Sequence, residues 1–122
     1  MGNKDYFLKL KIKINEAVML SYDLTEFFPK SELYGTVSQL RRAIVSVMLN
    51  FLEGFGRIKP KVKLNFFEIS YGSIRECKYL IFLAYQRKWI TKNDFDKIFK
   101  ICDEIAAMIW SVIAGLEAEI DK

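Results

Sequence analysis

The chain has 122 residues, of which 52% are hydrophobic and 15% aromatic, a formal charge of +4 and no histidine. That length fits one domain, residues 1–122, around a single core, and so large an apolar share exceeds what one small fold hides, which predicts self-association. Cys77 and Cys102 stand far apart; without histidine they exclude a zinc site, histidine-ligated haem and a Cys/His nucleophile, so no metal and no cofactor is expected.

Charge is unevenly placed. Residues 41–88 hold ten bases and three acids, whereas residues 89–122 hold four bases and seven acids. Such a basic block attracts phosphate when it gathers on one surface, and is otherwise a solvated face. The first residues, MGNKDYF, lack an apolar signal core, and Tyr6 occupies the position where myristoylation requires Ser or Thr. Ser46, Asn50 and Glu53 interrupt the best apolar run, which stays short of the ~18 residues of a membrane span. A soluble cytoplasmic protein with no membrane contact is expected.

Along residues 3–28, Phe7, Leu10, Ile14, Ala17, Ser21, Leu24 and Phe28 recur at alternating spacings of three and four, the pattern of an amphipathic bundle helix. A second apolar line, Tyr6, Leu20 and Phe27 with Lys13 between, runs beside it and must face another helix or another subunit. Pro29 keeps the residue before it out of helical geometry, so PKSELYG reads as a connection.

Thr36 and Gln39 have the spacing of a capping box and place the start of a second helix there; Gly54 and Gly56 mark its exit, which can extend to Ile58. Val37, Leu40, Ile44, Val47, Phe51 and Phe55 share one side of this helix, and Arg42, Ser46, Asn50, Glu53 and Arg57 form a narrow polar seam opposite. Between them lie Val45, Met48, Leu49 and Leu52, so the helix is expected to bury a second face against a partner. Asn50 and Glu53 then belong either to a polar pocket at a subunit interface or to a hydrogen-bond network that fixes helix register. Arg41 falls near Met48 and Leu52 and needs a path to solvent or an acid such as Glu68 or Glu76.

Pro60 suits the first turn of a third helix over residues 61–87, where Gly72 and Ser73 predict close approach of a neighbouring helix. Thr91 with Asp94 caps a fourth, which carries Phe95, Ile98, Cys102, Ile105, Ile109, Val112, Leu116 and Ile120 at near-heptad spacing. Trp110 lies off that line and is expected under a neighbouring element. Four helices with short connections predict an all-α, up-down-up-down antiparallel four-helix bundle. Arg57, Lys59, Lys61 and Lys63 gather at one end of it, as a polyanion contact or as a solvated loop. With no phosphate loop, nucleophile elbow or acid–base histidine, no enzyme is expected and no catalytic residue is assigned.

The stretches YGTVSQLRRAIVSVMLNFLEGFGR, residues 34–57, and FFEISYGSIRE, residues 66–76, resemble the four-helix-bundle proteins named for open reading frames in 23S ribosomal RNA intervening sequences. The shared marks are SQLRR, N-x-x-EG-x-GR and GS-x-x-E at these separations. The resemblance implies a small bacterial cytoplasmic bundle that assembles as a homopentamer and has no established enzymatic activity. A related branch, the accessory variability proteins of diversity-generating retroelements, is credited with similar pentamers that bind nucleic acid and the reverse transcriptase. The expectation is therefore a non-catalytic oligomer binding RNA or DNA electrostatically through Arg42, Arg57, Lys59, Lys61 and Lys63. The alternative is an oligomeric scaffold for a protein partner such as a reverse transcriptase, without direct nucleic-acid contact. Where the family usually carries an Ile-Pro pair in the second helix this chain has Val47 and Met48, which predicts a straighter helix. The added bulk at Met48, Leu49 and Leu52 bears on subunit packing.

Overall fold

In a computed structural model describing residues 2–122, the hydrophobic pattern folds into four long helices: α1 (Gly2–Thr25), α2 (Ser38–Gly56), α3 (Pro60–Gln86) and α4 (Lys92–Ile120). Each packs on its neighbours in sequence, and α4 closes back onto α1. The result is the all-α up-down-up-down bundle that periodicity and short connections predict. Its axis is filled by residues spaced three and four apart. Leu10, Ile14 and Ala17 of α1 meet Leu40, Ile44 and Val47 of α2, Ile74, Cys77 and Ile81 of α3, and Ile98, Cys102, Ile105 and Ile109 of α4, all buried. Burying a side chain of leucine or isoleucine size contributes about 1.5–3 kcal/mol.

Helix ends show where local chemistry departs from pattern. α1 stops at Thr25 instead of Phe28, because the Thr25 hydroxyl donates to the Ser21 carbonyl at 2.8 Å and the next three amides fold back on the residues three before them, closing the last turn. Phe28 still buries its ring, 5.1 Å from Trp89. The connection to α2 holds a tight 3₁₀ turn, Lys30–Glu32, and a wider π-type turn, Leu33–Val37. No capping box forms at Thr36. The Glu32 carboxylate takes both the Thr36 amide, at 3.2 Å, and the Thr36 hydroxyl, which ties that side chain to the preceding turn, and regular helix begins at Ser38. The same two bonds hold the Glu32 carboxyl below the usual carboxylate range. Elsewhere the signals act as read: Pro60 opens α3, and the Asp94 amide donates to the Thr91 hydroxyl at 3.1 Å. α3 ends with Lys88 in the left-handed region at φ 65°. There the amides of Lys88 and Trp89 donate to the carbonyls of Tyr85 and Ala84 at 3.0 and 2.9 Å, a Schellman closure.

The glycine at a close helix contact is Gly54, not Gly72. A Cβ built on Gly54 would stand 2.8 Å from the Phe67 ring, whereas one on Gly72 meets nothing within 4 Å. Gly54→Ala should therefore cost about 1–3 kcal/mol through overpacking, and Gly72→Ala should gain about 1 kcal/mol through helix propensity. Urea midpoints of the two variants would check this pair, and a stabilised Gly54→Ala would contradict the contact.

Candidate functional site

The polar seam of α2 divides into two parts. In its middle, the Ser46 and Ser73 hydroxyls meet at 2.9 Å, and the Asn50 side-chain amide donates to both the carbonyl and the hydroxyl of Ser46 at 3.0 Å. One turn deeper, the buried Ser70 hydroxyl donates to the Val47 carbonyl at 2.7 Å. These bonds tie α2 to α3 and set their register, so Asn50 has a structural partner within its own chain. Glu53 lies outside this network and pairs with Arg57 at 3.1 Å across one exposed helical turn.

Below the seam, the basic cluster separates by what each cation touches. Lys63 reaches back from the first turn of α3, and its ammonium donates to the carbonyls of Gly54 and Phe55 at 3.2 and 3.0 Å. It thereby adds to the Arg57 amide, which donates to the Gly54 carbonyl at 3.4 Å, and meets the negative pole of that helix. Arg57 shares its charge with Glu53 and lies 5.1 Å over the Phe66 ring. Lys59 and Lys61 are exposed, and among the described residues neither has a carboxylate within 4.0 Å. Arg42 is not part of this cluster: it precedes Arg57 by fifteen residues on α2, about 22 Å along the axis. It lines a shallow groove with Tyr22, Arg41, Val45, Leu49 and Asn50.

Arg41 finds neither Glu68 nor Glu76. Its Nε donates to the Thr25 hydroxyl at 2.8 Å, a terminal nitrogen donates to the Tyr22 carbonyl at 3.3 Å and stands 3.7 Å from Glu26, and the guanidinium covers the Tyr22 ring at 4.6 Å. α1 has no base in its last turn, so α2 supplies the cation that closes it. Thr25 next to Tyr22 is a better site than a distant acid because it offers two acceptors and a π-face together.

The pattern that defines the 23S rRNA-intervening sequence proteins matches residues 8–111. The chain belongs to that family. A solved structure of a protein of unknown function from the S23 ribosomal protein family of Bacteroides thetaiotaomicron is similar, with a TM-score of 0.79 and 21% identity over 85% of this chain and 97% of that one. At that identity the likeness concerns the fold. No curated protein matches the chain.

In this member of the family the second apolar line of α1 meets α4 at Tyr6 and Lys13: the Tyr6 hydroxyl donates to the Met108 carbonyl at 3.1 Å and Lys13 pairs with Glu104 at 3.2 Å, whereas Phe27 at the far end of the line is exposed. A third line went unread in the sequence. Leu8, Ile12, Met19 and Tyr22 are 57%, 60%, 58% and 40% exposed, and with Asn15 between them they alternate by four and three like the core line, a signal that was there to find. Beside them on α2, Leu49 is 60% exposed and Leu52 39%, so the outer faces of α1 and α2 carry the largest run of uncovered hydrophobic side chains on these two helices. Trp110 is also uncovered, 54% exposed, with the Tyr71 ring of α3 at 5.3 Å covering only one side. Burial pushes the Cys102 thiol up to about 12 and Cys77 higher still, which keeps both neutral and unreactive near neutrality. Among the described residues no group of His, Cys, Asp and Glu is placed to hold a metal ion, and no helix is long and apolar enough to cross a membrane.

Lys63→Met keeps the aliphatic stem and removes the capping charge. The variant should lose about 0.5–1 kcal/mol and speed amide exchange in the turn preceding Gly56. Unchanged exchange there would show that the carbonyls do not depend on the ammonium.

Proposed function

We propose that this chain is a non-catalytic homo-oligomer that binds RNA or DNA electrostatically through the turn joining α2 to α3. The observation that carries the reading is the state of Lys59 and Lys61, exposed side by side with no acid partner among the described residues. Arg57 adds a partly shared charge and Lys63 one remaining donor of its three. Such a cluster neutralises phosphates and releases counterions without reading bases. The family's description, which links it to an intervening sequence of a ribosomal RNA, supports RNA as the polymer. Arg42 joins the contact only for a ligand that runs the length of α2.

The outer faces of α1 and α2 form the interface between copies in this reading. A pentameric ring is the stoichiometry that the family resemblance implies, and exposed Leu8, Ile12, Met19 and Leu49 are the side chains such a contact would cover. The same exposed face also favours the competing reading, a scaffold whose ring holds a protein partner instead of a nucleic acid.

Fluorescence anisotropy with structured RNA, single strands and duplex should show affinity falling steeply between low and physiological salt. Lys59→Glu with Lys61→Glu should weaken binding at least tenfold and flatten the log–log salt slope by about two. Wild-type protein that binds none of these polymers, yet copurifies with another protein, would favour the scaffold. For the interface, Ile12→Glu with Leu49→Glu should convert the oligomer to monomer by light scattering while leaving the helical circular dichroism intact. A monomeric wild type, or an unchanged mass in the variant, would contradict it.

A further inference from the structure

Beside the basic turn, the bundle does not close. Between the start of α1, the turn after α2 and the last third of α4 lies a cavity of about 510 Å³, walled by Tyr6, Phe7, Ile58, Phe67, Val112 and Leu116. Its size falls within the range of ligand sites, and its lining mixes aromatic and aliphatic side chains with the polar Lys63, Ser111 and Glu119. Lys63, held in place by two α2 carbonyls, lines the cavity and belongs to the basic turn. Ile58 is 91% exposed between Arg57 and Lys59. An isoleucine gains nothing from standing in water among cations, and a flat apolar ring laid across the cavity mouth would cover it.

We propose that this cavity accepts one unstacked nucleobase of a single-stranded nucleic acid whose phosphates lie on Lys59, Lys61 and Arg57. This rests on the nucleic-acid reading above and narrows it to single strands, loops and ends. Half-buried Tyr6 and the uncovered part of Phe7 supply an aromatic surface against which any base can pack, with buried Phe67 behind them, while the cations outside track the backbone. On the α4 wall, Ser111 and Glu119 offer acceptors to the edge of the base. A carboxylate there accepts from an exocyclic amine, which favours cytosine, adenine or guanine over uracil or thymine. A duplex keeps its bases stacked and must pay unstacking before one can enter, so it meets the basic turn alone. Gly115 gives a way to test this without disturbing the core. It lines the cavity, and a Cβ placed on it meets nothing within 4 Å, so a larger side chain there projects into free space and raises helix propensity.

The experiment uses a short oligonucleotide with one adenine replaced by 2-aminopurine, as a single strand and as a duplex, titrated at several salt concentrations. Wild-type protein should bind the single strand at least tenfold more tightly than the duplex and change the 2-aminopurine fluorescence on binding. Gly115→Leu, and independently Ser111→Leu, should abolish the fluorescence change and lower single-strand affinity to the duplex level while keeping the salt slope, with a thermal midpoint at or above that of the wild type. Equal affinity for both forms, or variants that bind and report as wild type does, would overturn the base-binding cavity and leave the basic turn standing. No binding of either form by the wild type would remove the basic turn, and this inference with it.

Discussion

The contact on which this molecule turns is a ring lying on a bare helix backbone: Phe67 of α3 packs where Gly54 of α2 has no side chain. Around it gather Phe7 and Phe51, with Phe7 5.6 Å from Phe51, 6.1 Å from Phe67 and 4.4 Å from Phe55. Three helices are thus pinned at one end by aromatic pairs worth about 0.5–1.5 kcal/mol each beyond their burial. That pin sets how close α3 starts to the end of α2, which leaves only residues 57–59 to join them. So short a turn forces its cations together on the outside. It also brings Lys63 within reach of the α2 carbonyls and to the edge of the cavity that the end of α4 walls on its other side.

Charge in this chain is divided between holding helices and remaining free. Neither α1 nor α2 has a base in its last turn, and each has its carbonyl end met by a cation from a neighbouring element, Arg41 for α1 and Lys63 for α2. These two members of the basic block are committed to structure, and Arg57 is partly committed to Glu53. Lys78 pairs with Asp103, and Arg42, Lys59, Lys61, Arg75, Arg87 and Lys88 have no carboxylate within 4.0 Å among the described residues; of these, Lys59 and Lys61 fall together at the α2–α3 turn. The apolar surplus divides in the same way: most of it fills the bundle, and the remainder is spread over the outer faces of α1, α2 and α3 and the connections between them.

Much of the fold was legible because it rests on periodicity. Core lines such as Leu10–Ile14–Ala17 and Ile98–Cys102–Ile105 follow from spacing, and Pro60 and Thr91 act through local backbone chemistry that needs no partner. The misreadings occur where a residue's role depends on something far along the chain. Gly72 and Gly54 look alike in sequence, yet only Gly54 has a phenylalanine opposite. Thr36 has a plausible partner in Gln39 and a better one in Glu32, presented by a turn that pattern alone does not reveal. The basic run at the α2–α3 junction could be read directly, but its division between cap and free charge could not. The cavity was invisible because its walls come from three elements whose ends meet only in the folded chain.

The central claim is that binding takes place at the end of the bundle pinned by Phe67, and amide chemical-shift mapping tests it most directly. A ¹⁵N-labelled sample titrated with a short single-stranded RNA at low salt should show its largest shifts at residues 57–63, joined by residues 6–7 and 111–119 around the cavity. Shifts confined to the outer faces of α1 and α2, or no shifts at all, would contradict the account.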